Sequence, residues 1–247
     1  MLNLIKADLY KYLNRPYLYI LNAVLVAFII LLGFSYGYAH TKGVPKENLV
    51  TPLLIMLNLS GIFVFIFSDN VIEKSKYNTM KNIASSDIKR SSIFIGKVIT
   101  QLILGLITFL ICFMVSIIAS YIFNIMPNRG INDFIDIFFR YMIAIPTLLG
   151  CITFYTLIIL LIKGEGRGAF LSLIVVFIFP TISVLLSQNI GHIFTFIDKY
   201  FLMNPLDLIA NQGMTFNEAL RCISAGIMNT VIFMVLGILM MKKKDIK

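Results

Sequence analysis

Two histidines, three cysteines, one Gly-Lys pair and a thin scatter of charged side chains are the groups in this chain that could do chemistry. His40 and His192 have neither each other nor a carboxylate at ligand spacing. The H-E-x-x-H pattern that would set two imidazoles and a general base on one helix face is absent. Cys112, Cys151 and Cys222 stand far apart, inside or beside apolar runs and without a C-x-x-C, which favours small apolar packing over redox or metal work. No resident metal or cofactor is expected. Gly96-Lys97 is followed by Val98 and has Ser91, not Gly, five positions upstream, so it cannot make the phosphate-cradling loop of an ATP-binding protein. Ionisable groups deep in apolar runs are functional candidates because burying them is costly. Arg140 comes nearest to that condition, and a guanidinium snorkelling from the end of a span accounts for it. The spans offer no catalytic constellation, and the chain is not expected to be an enzyme.

Two segments carry more information than any single residue. Residues 69–92 hold Asp69, Glu73, Lys74, Lys76, Tyr77, Lys81, Ile83, Asp87, Lys89 and Arg90, charges of mixed sign at helix-compatible spacing. Ile72, Met80 and Ile83 add an apolar stripe that a purely solvated loop would not need, so a short amphipathic helix suited to docking a soluble partner is expected. Residues 188–221 place Ile190, Ile193, Phe194, Ile197 and Phe201 at helical spacing, yet they are too few for two membrane crossings. A helix dipping into or lying on the outer leaflet is the economical expectation. Asn204-Pro205 breaks it, and Thr215-Phe216-Asn217-Glu218 fits a capping box that starts the next helix.

The elements that must position these segments are apolar. Hydrophobic residues make up 59% of the 247, only 13% are charged, and the mean hydropathy is +0.90, which describes an integral membrane protein. Six stretches, 17–38, 50–68, 93–123, 138–162, 168–187 and 222–241, are long enough to cross a hydrocarbon core of about 30 Å. If both ends face one compartment, that side holds 15 of the 21 basic residues and six of the 12 acidic ones, hence the whole formal charge of +9. Positive residues stay inside, so both termini are expected in the cytoplasm, with the charge facing anionic lipid or a protein partner rather than nucleic acid. The first span reads as a retained signal-anchor. Ahead of it, residues 2–15 recur as an amphipathic surface helix through Leu2, Ile5, Leu9 and Leu13, and Pro16 ends it. Without any Trp, the interfacial belt falls to Tyr17 and Tyr19 at one end of the first span and Tyr36 and Tyr38 at the other. Pro146 and Pro180 kink the fourth and fifth spans, and neighbouring helices must satisfy the carbonyls they free. The stretch 131–138 is an amphipathic lead-in to the fourth span, and one membrane domain covers 1–247.

The run from Glu73 through Lys74, Tyr77, Asn78-Thr79, Met80, Lys81 and Ile83 to Ser86-Asp87, Lys89-Arg90 and Gly96-Lys97 resembles the loop after the second span of ABC-2-type permeases. That family has Gly-Thr where Asn78-Thr79 stands here and a Pro where Ser86-Asp87 stands. The resemblance extends by layout to the surface helix (1–16), the six spans and the Asn204-Pro205 segment, and is nearest to the peptide, lantibiotic-immunity and bacitracin-resistance branch. It implies an all-α plasma-membrane permease of an ATP-driven exporter, with two six-span subunits, identical or sister, forming the path. Two copies of a separate ATP-binding subunit would carry ATP and Mg. The coupling residues would be Glu73, Lys74, Tyr77, Thr79, Met80, Lys81, Ile83, Lys89 and Arg90. An external gate would use Phe194, Ile197, Phe201, Asn204 and Pro205, and the cargo would be an amphipathic peptide, with lipid-like or drug substrates as the alternative. A secondary transporter or channel is the rival class, disfavoured because the spans lack coupling carboxylates and inverted repeats.

Overall fold

The computed structural model describes residues 2–42, 90–123, 131–161, 200–201, 205, 208–209 and 214–243, and the described elements are all helices. In chain order they are α1 (Leu2–Leu13), α2 (Pro16–Thr41), α3 (Arg90–Ile122), α4 (Ile131–Leu161) and α5 (Phe216–Lys243). Among the described residues, α2 to α5 are long and apolar enough to cross a membrane, and the chain is a multi-pass membrane protein on that ground. The expected spans 50–68 and 168–187 lie outside the described residues.

The boundaries move where polar residues interrupt an apolar run. The amphipathic lead-in and the fourth span are one helix, because Asp136 and Arg140 pair one turn apart at 2.8 Å and the helix carries on through them. At the start of α5, Thr215 and Glu218 form the reciprocal cap that the sequence announced. The Thr215 N–H donates to Glu218 Oε2 at 2.7 Å, and the Glu218 N–H donates to Thr215 Oγ1 at 3.4 Å. Between α1 and α2 the chain turns without a loop. The Asn14 N–H and side-chain amide both donate to the Tyr10 carbonyl, Tyr19 Oη donates to the Leu13 carbonyl, and Pro16 opens α2 where a missing N–H costs nothing.

Among the described helices, α3 is the one that packs against all four others, α1, α2, α4 and α5. Small residues let it and its neighbours approach. Gly33 and Gly37 of α2 seat Phe123 and Ala119 of α3, and a Cβ at Gly237 of α5 would collide with the Phe94 ring of α3. The closest contact is between α4 and α5. A Cβ at Gly226 would overlap the Pro146 carbonyl carbon and the Thr147 nitrogen, and Gly150 faces Asn229. By contrast α2 buries a single strip, Leu18, Leu21, Leu25, Ile29 and Gly33, and leaves Ile20, Val24, Phe28, Leu31 and Phe34 exposed, as a helix at the rim of a membrane bundle does.

Only part of the sequence-predicted face of α1 is covered by protein. Ile5, Asp8 and Tyr12 are buried, whereas Leu2 and Leu13, assigned to the same stripe, are exposed beside Lys6 and Tyr10. The helix therefore has two apolar-edged faces rather than one. The first is seated on α3, and the second, Leu2, Leu13 and Tyr10 around Lys6, is left open.

Candidate functional site

The described residues hold two polar anchors inside the bundle, one joining α1 to α3 and the other joining Tyr200 and Ile209 to α5 and α4. The first joins α1 to α3. Lys97 Nζ lies 2.7 Å from Asp8 Oδ2, with Lys97 fully buried and Asp8 8% exposed. Gly96 beside it lets Leu4 and Ile5 come down onto α3. The neighbouring Tyr12 wedges against Leu18 and Leu21 of α2 and Leu104 of α3. Burial pushes its phenol well above the usual tyrosine range, the Asp8 charge pushes in the same direction, and Arg15, 5.8 Å from the ring centroid, acts against both. The lysine turns into the protein, since a buried cation needs a partner and Asp8 supplies one.

The second anchor gathers the chain around residues 200–209. Arg140 donates through Nε to Asp136 at 2.8 Å and through an Nη to the Ile209 carbonyl at 2.7 Å, so its guanidinium is engaged inside the protein rather than snorkelling. Asn229 Nδ2 donates to the Tyr200 carbonyl at 2.7 Å and to Ala225 of its own helix at 2.9 Å. Ile209, 1% exposed, sits in a cluster with Phe109, Phe113, Tyr141, Leu148 and Cys222. Phe201 meets Phe154, 6.1 Å between ring centroids, and Phe154 in turn meets Phe233 at 4.9 Å.

Depth follows from helical rise. Arg140 lies about 14 Å along α4 from its Ile131 end, and Phe154 about 35 Å along it. Phe201 thus sits well along α4, beyond the level of Arg140, and Arg140 and Asn229 provide donors for the Ile209 and Tyr200 carbonyls.

Between the anchors, hydroxyl and amide groups line the contacts of α3, α4 and α5. Thr156 Oγ1 donates to Gln101 Oε1, Tyr141 Oη donates to Ser116 Oγ at 3.3 Å, and Thr147 Oγ1 donates to the Cys222 carbonyl at 3.2 Å. Cys222 Sγ donates to the Ile143 carbonyl at 3.8 Å, three residues before Pro146. All three cysteines are free and buried. Among the described residues, the buried Asn22 Oδ1 and Thr108 Oγ1 show no hydrogen-bond partner.

Of the residues expected to couple to an ATPase, Glu73, Lys74, Tyr77, Thr79, Met80, Lys81, Ile83 and Lys89 lie outside the described residues, and Arg90 is the first residue of α3. Of the expected gate, Phe194, Ile197 and Asn204 lie outside them too, while Phe201 packs on Phe154 and Pro205 is buried. Sequence reasoning missed Asp8 and Asn229 as anchors. Their signal was present: a lone acid between Ile5 and Tyr12 on one helix face, and a lone amide inside the sixth apolar run. It also passed over Gly33-Phe34-Ser35-Tyr36-Gly37, a G-x-S-x-G pentad with the spacing of a hydrolase nucleophile. That chemistry requires a strand-to-helix turn, and here the pentad is mid-helix with Ser35 Oγ donating to the Leu32 carbonyl at 2.8 Å. Among the described residues no group of His, Cys, Asp and Glu could hold a metal ion.

Compared with models of known protein families and with curated proteins, the chain matches none.

Proposed function

We propose that the chain is the membrane subunit of an ATP-driven exporter of the ABC-2 type, carrying an amphipathic peptide out of the cell or the membrane and energised by a separate ATP-binding subunit. Two permease subunits, identical or sister, form the path, and two ATPases dock below it. One observation carries the reading: the ion pair between Asp8 and Lys97 locks α1 to the first turns of α3, directly after the charged segment 69–89. A push delivered to that segment would then move α1 and α3 together as a rigid lever. The motif-like run 73–97, the basic side shared by both termini and the six apolar stretches support the same assignment. The open face of α1, Leu2, Leu13 and Tyr10 around Lys6, suits an interfacial helix whose lysine reaches the headgroups.

The reading is tested by co-purifying the chain with an ATP-binding protein encoded beside it and measuring peptide-stimulated hydrolysis. Reversing Glu73 and Lys81 together should abolish stimulation and export while insertion is unchanged, since a charge mismatch across an interface costs several kcal/mol. Full export by the double reversal would confine the segment to a topological role.

A secondary transporter is favoured by a different observation, the Tyr200 and Ile209 carbonyls held by side-chain donors of the spanning helices, as the backbone of a broken helix in an ion-coupled carrier would be. Export that survives ATP depletion but stops with a protonophore would select it.

A further inference from the structure

Phe94 stands one turn before Lys97 on α3, fully buried, and the tip of its ring meets the backbone of α5 where Gly237 has no side chain. A Cβ at Gly237 would overlap Cζ and both Cε atoms of that ring, so the contact has no slack. The same cluster also holds Met234 and Met241 of α5, flexible side chains that re-pack when a neighbour shifts. Within the same turn of α3, Lys97 holds Asp8 of α1 at 2.7 Å, and a Cβ at Gly96 would lie 3.0 Å from Leu4 Cδ2. Residues 94 to 97 therefore carry a stiff contact to α5 and a stiff contact to α1 within about 4.5 Å of helix axis.

We infer that Phe94 is the linkage through which the paired α1–α3 unit drives α5, with Gly237 as its socket. A ring wedged end-on against backbone neither shortens nor swings aside, so α5 has to follow when the first turns of α3 move. The fulcrum is the α4–α5 crossing, where Gly226 rests on Pro146 and Thr147 about 16 Å along α5 from Gly237. A push at the inner end then tilts α5 about that crossing, and the segment from Gly237 to Lys243 becomes the third member of the lever. Phe94 is a positioning residue, acting through Gly237. The inference rests on the exporter reading only for the source of the push, because the linkage can be tested without any transport.

The test asks whether a disturbance at α1 reaches α5 and whether Phe94 carries it. Spin labels go on the full chain in lipid nanodiscs at two exposed positions, Leu31→Cys on α2 and Lys242→Cys on α5, the native thiols being buried. Their separation is read by double electron–electron resonance. Asp8→Asn takes the charge partner from Lys97 and unlocks α1. It should shift the mean 31–242 distance by about 2 Å or more, the scale of helix shifts at packed interfaces. A label pair at Leu31 and the exposed Ser224, beside the fulcrum, should stay put. With Phe94→Ala in place, Asp8→Asn should add no shift. A merely structural Phe94 would loosen α5 by itself and leave the Asp8→Asn shift to add on top. An unmoved 31–242 distance in Asp8→Asn overturns the inference, and so does the same shift with and without Phe94. Should Asp8→Asn fail to accumulate, Gly96→Val decides by the same criterion, since its side chain pushes Leu4 away. A Phe94-dependent shift in a chain that no ATP-binding partner energises would discard the exporter reading and leave the linkage standing. Shifts that simply add in a working exporter would do the reverse.

Discussion

At the scale of single residues the firmest statement concerns Asp8 and Lys97. A lysine with no exposed surface is held by one carboxylate 2.7 Å away, so removing either partner strands a charge in apolar surroundings, at a cost of about 3–5 kcal/mol. Asp8→Asn or Lys97→Met should each lower the temperature at which the detergent-solubilised chain loses its monodisperse chromatographic peak. The double change to Asp8→Leu and Lys97→Met should recover most of that loss, because apolar side chains of similar volume replace a buried pair at little net cost. If both single variants melt with the parent, the pair is not buried in solution. The role of Lys97 was not legible in the sequence. Lysines near span ends ordinarily reach for headgroups, and the partner lies 89 positions away, beyond the range of any local spacing rule. Arg140 was harder still, since its distant partner is the Ile209 backbone carbonyl and no side chain marks such an acceptor in advance.

At the scale of helices, local signals were legible and lateral ones were not. The Thr215–Glu218 cap was readable because a capping box acts within four residues. The helical lead-in at 131–138 was legible from its spacing, and it runs on into the span because Asp136 and Arg140 pair within a turn. Which faces meet was invisible. Gly226 looks like any glycine in an apolar run, yet it is where α5 comes down onto Pro146 and Thr147. Gly226→Leu should therefore destabilise the bundle by about 1–3 kcal/mol or more, as overpacking does, and the loss can be read from the same chromatographic melting. Leucine at the exposed Ser224, two residues away on the same helix, should be tolerated. Equal behaviour of the two variants would remove the close α4–α5 crossing.

At the scale of the whole molecule, orientation rests on the distribution of basic residues, and it can be checked directly. Cysteines introduced at Lys46, Asn128 or Asn211 should react with an impermeant thiol reagent in intact cells, and cysteines at Lys76 or Lys244 should not. The three native thiols, all buried, give little background. Reaction at position 76 would turn the molecule over. The ion pair between α1 and α3 also bears on how such a chain is made. Its acidic half leaves the ribosome 89 residues before its basic half, so α1 is already at the membrane surface when the insertion machinery meets an apolar segment carrying a lysine. A lysine in a span opposes insertion, by about 2.5–3.5 kcal/mol at the centre and by less near an end, where Lys97 stands. A waiting aspartate turns that residue from an obstacle into a docking point, and α1 becomes, in effect, an intramolecular chaperone for the integration of α3.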